Sequence, residues 1–221
     1  HGGNRIAAAR RLGCAPARLL DASASLVPFG PPAGLRRQLG RALHGGPASP
    51  LRDYPERGYA ALRGVIAAHH ALPSDWVLPG NGAAELFTWA ARVAAGTGRS
   101  LLPAPGFADY GRALACWGGR SAHQRLPLCW DDRFPTPFPD PPAGEVLWIC
   151  NPHNPTGQLW SRASLEPLLE RFALVILDEA FLPLVPDGDR QSLVPLLEQH
   201  PNLVVIRSLT KLFSIAGLRL G

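Results

Sequence analysis

The chain has 221 residues, enough for one substantial hydrophobic core with a small appendage. Hydrophobic content of 46% with 18% charged residues describes an ordinary globular protein rather than a disordered one. The formal net charge of +5 comes from scattered arginines with no basic, aromatic-interleaved face, which argues against a nucleic-acid partner and is compatible with small anionic ligands.

Along the chain, residues 1–50 read as an N-terminal arm with helical patterns at 6–12 and 33–43, joined by Pro- and Gly-rich segments. Residues 51–221 read as the main domain, opening with a helix over 58–70. A strand is expected at 76–79, then the turn Gly80-Asn-Gly82 and a helix running through 85–91. A strand at 100–103 and a helix over 107–117 follow. The proline-rich stretch 130–142 reads as a loop, because proline cannot supply the hydrogen bonds of a central strand. Next come a strand at 145–150, a helix over 161–172 capped by Ser161, and a strand at 174–177. A helix at 193–199 and a strand at 203–207 complete the pattern. This alternation predicts an α/β fold: a mostly parallel sheet with helices on both faces, linked by right-handed crossovers.

No apolar stretch approaches the roughly 18 residues a membrane span needs, and no signal peptide is visible. Cys14, Cys116, Cys129 and Cys150 lack metal-type spacing and read as free thiols, which suits a cytoplasmic setting. His69, His70 and His123 have no ligand-like spacing either.

The candidate chemistry gathers at the expected carboxyl ends of the strands, where open parallel sheets bind ligands. Lys211 has a hydroxyl three residues before it (Ser208) and a guanidinium eight after it (Arg219). An amine so placed suits a Schiff base with a phosphorylated aldehyde, Ser208 and Arg219 gripping the phosphate; the plainer alternative is a surface lysine after a strand. Asp178 ends an apolar run, so its charge needs a partner, either a protonated ring nitrogen or a structural cation or cap. Glu179 beside it reads as support. Gly82 and Ala83 open a helix whose free N–H groups could cradle a phosphate, although any tight turn before a helix looks similar. Asn154, inside the doubly proline-restricted Asn151-Pro-His-Asn154-Pro-Thr-Gly157, reads as an amide aimed at a ring hydroxyl or a carboxylate, or as part of a plain turn. Phe107 could stack on a flat ring or pack in the core.

Taken together and in order, Gly80-Asn-Gly82, Pro105-Gly-Phe107, the 151–157 loop, Asp178-Glu-Ala-Phe181 and Ser208-Leu-Thr-Lys211 resemble the fold-type I pyridoxal-phosphate enzymes. The nearest branch is that of the histidinol-phosphate aminotransferases and, more closely, the L-threonine-O-3-phosphate decarboxylases of cobalamin synthesis. Residues 1–4, 105–114 and 207–211 carry the likeness to the decarboxylases. The resemblance implies a pyridoxal 5'-phosphate cofactor held by Lys211, with Asp178 on the pyridine nitrogen, Asn154 on the ring hydroxyl and Phe107 over the ring. It assigns the phosphate to Gly82, Ala83, Ser208 and Arg219. It also implies that Tyr54 reaches the phosphate of a second subunit, hence a homodimer with shared sites, and that Asn154, His1 and Gly3 contact a small phosphorylated amino acid. The implied reaction is decarboxylation of L-threonine O-3-phosphate to (R)-1-amino-2-propanol O-phosphate, with histidinol-phosphate transamination as the alternative. Phe181 stands where many related aminotransferases have a tyrosine, and Ser25 and Val27 where the decarboxylases typically have asparagines. A C-terminal small domain, which the resemblance also implies, lies outside these 221 residues.

Overall fold

Five short strands, all parallel, organise the computed structural model, which describes residues 3–128 and 133–221. In the arm, α1 spans Arg5–Leu12 and α2 Ala33–His44; α3 (Ala60–His70) and α4 (Ala83–Thr97) follow. Then come β1 (Ser100–Ala104), α5 (Ala108–Ala115), β2 (Ser121–Arg125) and β3 (Val146–Cys150). The last elements are α6 (Arg162–Leu165), β4 (Leu174–Asp178), β5 (Leu203–Ile206) and α7 (Leu209–Leu212). The strand order is β2-β1-β3-β4-β5. The expected α/β architecture is therefore the one observed.

Strand alternation divides the core in two. Leu101, Leu147, Ile149, Val175, Leu177 and Leu203 face one side, packed with Trp160, Leu165, Leu168 and Leu193. Leu102, Val146, Trp148, Ile176 and Ile206 face the other, against Phe87 and Ala91 of α4 and Tyr110 and Leu114 of α5. Strands β3 and β4 are buried along their whole length, which is why each reads as an unbroken apolar run.

The chain lays down β1 and then β2 on one side, and crosses to the other for β3, β4 and β5. The order reverses between β1 and β3. Past the carboxyl ends of those two strands the connections diverge and leave a crevice, the place where such sheets bind ligands.

Four local expectations need correction. Residues 76–79 form no strand: a 3-10 turn spans Ser74–Trp76, and Gly80 instead exchanges both backbone hydrogen bonds with Gly221, at 2.9 and 3.1 Å. Pro79 has no N–H to extend that pairing. The helix expected over 161–172 is α6 followed by a 3-10 stretch, Glu166–Glu170, because Pro167 removes a helical donor. Ser161 does not cap it through its side chain; that hydroxyl bonds Ser164 Oγ at 3.0 Å, while Gln191 Oε1 accepts from the Arg162 N–H at 2.8 Å. The helix at 193–199 reduces to a 3-10 turn, Val194–Leu196, around Pro195. Strand β2 went unread because its Ser-Ala-His-Gln-Arg sequence is that of a polar edge.

The described part of the proline-rich stretch is a loop with one isolated bridge, Thr136 to Trp160. Its start at Trp130, together with Cys129, lies outside the described residues. Cys14, Cys116 and Cys150 are free thiols. Among the described residues no helix is long and apolar enough to cross a membrane.

Candidate active site

At the carboxyl end of β4, Asp178 sits 5% exposed, the one charge on an otherwise apolar strand. Its Oδ1 accepts from the Ala180 N–H at 2.9 Å and its Oδ2 from the Tyr110 hydroxyl at 2.6 Å. Burial pushes its pKa up to about 6, against the opposing pull of those two hydrogen bonds and of the Lys211 charge. An ionised carboxylate offers about four acceptor positions, so two bonds leave Asp178 with room for a further donor.

Lys211 belongs to α7, a single turn opened by Ser208, whose Oγ accepts from the Thr210 N–H at 3.3 Å and lies 2.7 Å from Thr210 Oγ1. The amine lies 5.6 Å from the centroid of the Phe181 ring and has no hydrogen bond or carboxylate partner among the described residues. The arm reaches this turn, for the Val27 N–H donates to the Lys211 carbonyl at 3.4 Å.

Two loops border the crevice. After β1, Phe107 precedes α5 with its ring edge-on to Tyr110 (5.7 Å) and Phe87 (6.1 Å). After β3, the 151–157 loop closes through the Gly157 N–H donating to His153 O at 2.7 Å, and Gly157 adopts φ +76°. Asn151 is consumed by structure, its amide bonded to both backbone groups of Trp160. Asn154 is half-buried; its backbone N–H lies against the Cys150 thiol, itself 4.0 Å from Asp178 Oδ2. Its side-chain amide has no partner among the described residues.

His153 ties the two loops together. Its Nε2–H donates to the Pro105 carbonyl at 3.0 Å, and Nδ1 accepts from Thr156 Oγ1 at 2.7 Å. A carbonyl can only accept, which fixes the neutral tautomer, and burial lowers the pKa in the same sense.

The third wall is the start of α4. Gly82 has φ +80°, which favours glycine, and a Cβ there would lie 2.6 Å from Arg219 Nη2, so a side chain would push the guanidinium from its present place. The Ala83 and Ala84 N–H groups open the 15-residue helix without an acceptor among the described residues. Glu85 holds the preceding turn, accepting from the Asn81 N–H at 2.6 Å and from Asn81 Nδ2 at 3.0 Å. Arg219 donates to Ala216 O at 3.2 Å and has no carboxylate partner among the described residues.

The fold thus assembles Lys211, Asp178, Phe107 and Asn154 around the strand ends, and Gly82, Ala83 and Arg219 at one helix terminus. Ser208 caps the lysine's own turn. Tyr54, by contrast, is 99% exposed and contacts none of these residues. Gly3 lies on the arm, its N–H bonded to Ser23 Oγ at 3.0 Å, and His1 lies outside the described residues. Sequence reasoning overlooked Tyr110 and His153, although both fall inside stretches it had marked. It also overlooked a compositional signal: among 22 basic Lys and Arg residues, Lys211 is the only lysine.

The family model described as "Aminotransferase class I and II" matches residues 41–221. A threonine-phosphate decarboxylase of Salmonella typhimurium is 38% identical over 230 residues, covering 100% of this chain and 60% of that protein. A histidinol-phosphate aminotransferase of Symbiobacterium thermophilum is 35% identical over 179 residues, covering 77% of this chain and 48% of that protein. Among solved structures, the L-threonine-O-3-phosphate decarboxylase of Porphyromonas gingivalis superposes with a TM-score of 0.70 at 25% identity, over 90% of this chain and 60% of that one. The chain therefore spans about half to three-fifths of the length of these relatives.

Proposed function

The chain belongs to the aminotransferase class I and II family, and from that premise we propose that it is the cofactor-binding part of a pyridoxal-phosphate-dependent decarboxylase acting on L-threonine O-3-phosphate. The carrying observation is a buried, under-bonded aspartate at the strand ends that feels the charge of the chain's one lysine without bonding to it. An arginine cannot form a Schiff base, and a chain that uses arginine at every other such position keeps an amine here.

The residues suit the cofactor. The Arg219 guanidinium sits close over Gly82, and free helix N–H groups stand beside it, as a phosphate requires. When bound, pyridoxal phosphate supplies an electron-withdrawing ring that stabilises negative charge at the substrate's α-carbon. Lys211 would bind the aldehyde and, once displaced by the substrate amine, is the group free to return a proton to that carbon. Asp178 would keep the ring nitrogen protonated, Asn154 would donate to the ring hydroxyl, and Phe107 would cover the ring face and exclude water. Gly82, Ala83, Ser208 and Arg219 would hold the phosphate. Holding the substrate carboxylate perpendicular to the ring selects loss of CO₂ over loss of a proton.

Residues 1–50 serve in this reading as the arm, bearing Gly3 and His1 toward substrate, and 51–221 as the cofactor-binding domain. The exposure of Tyr54 supports its reaching the phosphate of a second subunit in a homodimer. Free thiols support a cytoplasmic setting. The product would be (R)-1-amino-2-propanol O-phosphate, for cobalamin synthesis. The similarity to a histidinol-phosphate aminotransferase supports one second reading, transamination of that substrate.

Incubating the intact protein and pyridoxal phosphate with L-threonine O-3-phosphate should release CO₂ with no keto acid present. Glutamate formation from histidinol phosphate and 2-oxoglutarate, without CO₂ release, would overturn the decarboxylase reading in favour of the second.

A further inference from the structure

Tyr110 is 1% exposed and wedged against the rings of Phe87 (5.1 Å), Phe107 (5.7 Å) and Trp148 (5.3 Å). Phenylalanine would make all of these contacts. What the phenol adds is one hydroxyl, and it donates to Asp178 Oδ2 at 2.6 Å across 68 residues of sequence. We propose that Tyr110 is a positioning residue that keeps Asp178 ionised and aimed, and so sets the pH range over which the cofactor's ring nitrogen is held protonated. The proposal rests on the pyridoxal-phosphate reading above.

The surroundings of Asp178 support the assignment. Cys150 from β3 and Tyr110 from α5 are buried groups whose pKa values burial raises, so both stay neutral across the working range. Lys211 from α7 favours the ionised carboxylate, while the charge of neighbouring Glu179 opposes it. The hydroxyl of Tyr110 is the strongest influence on the ionised side, ahead of the Ala180 N–H and of Lys211. Two fixed donors, one on each carboxylate oxygen, also set the orientation of the group. The packed rings around Tyr110 hold the donor itself in place.

The test is Tyr110→Phe in the intact protein. Carbon-13 NMR of the Asp178 carboxyl in the cofactor-free protein should show its titration midpoint rise by about one unit. Pyridoxal-phosphate affinity at pH 5 should fall roughly tenfold relative to the wild type, and the loss should vanish above the new midpoint. In an Asp178→Asn background the same change should leave affinity unaltered. Replacing Tyr110 with 3-fluorotyrosine, a stronger donor of the same shape, should move the midpoint the other way, which guards against a merely misfolded variant. A carboxyl midpoint unchanged in both variants, or an equal affinity loss in the Asp178→Asn background, would overturn the proposal. Wild-type protein that binds no pyridoxal phosphate would instead remove the cofactor reading on which the proposal rests.

Discussion

Asp178 and Glu179 are adjacent, both acidic and both buried, yet they turn toward opposite sides of the sheet and meet opposite treatment. Glu179 is saturated. Its oxygens accept from Ser192 Oγ, the Leu193 N–H and both Nε and Nη2 of Arg207, the last at 2.7 Å. Asp178 meets one phenol, one amide and a distant thiol, with the Lys211 amine held off over the Phe181 ring. The comparison separates an acid whose burial is compensated within the fold from one whose compensation is incomplete. A carboxylate held in that condition at a ligand-binding edge is what a protonated ring would complete.

The sharpest way to break the site side of this comparison is Lys211→Arg, which keeps the charge and removes the amine. Turnover should fall roughly 10²–10⁴-fold, measured as CO₂ release, with the fold intact by circular dichroism. On the Glu179 side, Arg207→Ala strands a buried charge and should cost about 3–5 kcal/mol in denaturant unfolding, with little direct effect on the cofactor contacts.

Asp178→Asn should act in two directions. Turnover should drop about 10²–10³-fold, while the cofactor-free protein gains up to about 3 kcal/mol. The sign follows from the pKa, raised from 3.8 to about 6. Between those values the folded form binds more protons than the unfolded one, so stability falls as pH rises through that window. The asparagine variant should lose that slope, which unfolding curves at pH 4 and pH 7 would reveal. The smallest effect is expected from His153→Phe, which takes the donor from the Pro105 carbonyl and the acceptor from the Thr156 O–H for about 1–3 kcal/mol and loosens the loops bearing Phe107 and Asn154. Weaker cofactor binding with near-normal turnover at saturation would be its signature.

Strands β3 and β4 were legible because a strand buried on both faces leaves a run of apolar residues that no other element explains so simply, and the half-buried β5 keeps the same all-apolar run. Lys211 and Asp178 were legible for a related reason: each is a polar group where an apolar strand has just ended. The polar edge β2 left no such trace, and the helices broken at Pro167 and Pro195 carried apolar spacing beyond what their backbones could follow. Tyr110 and His153 stayed hidden because their meaning lies in contacts 68 and 48 residues away, which no local pattern records.

Reduction with borohydride after incubation with pyridoxal phosphate, followed by peptide mass mapping, bears most directly on the central claim. The account predicts a single phosphopyridoxyl adduct, on the peptide that contains Lys211. Protein that emerges unlabelled, or labelled only at its terminal amine, would contradict it.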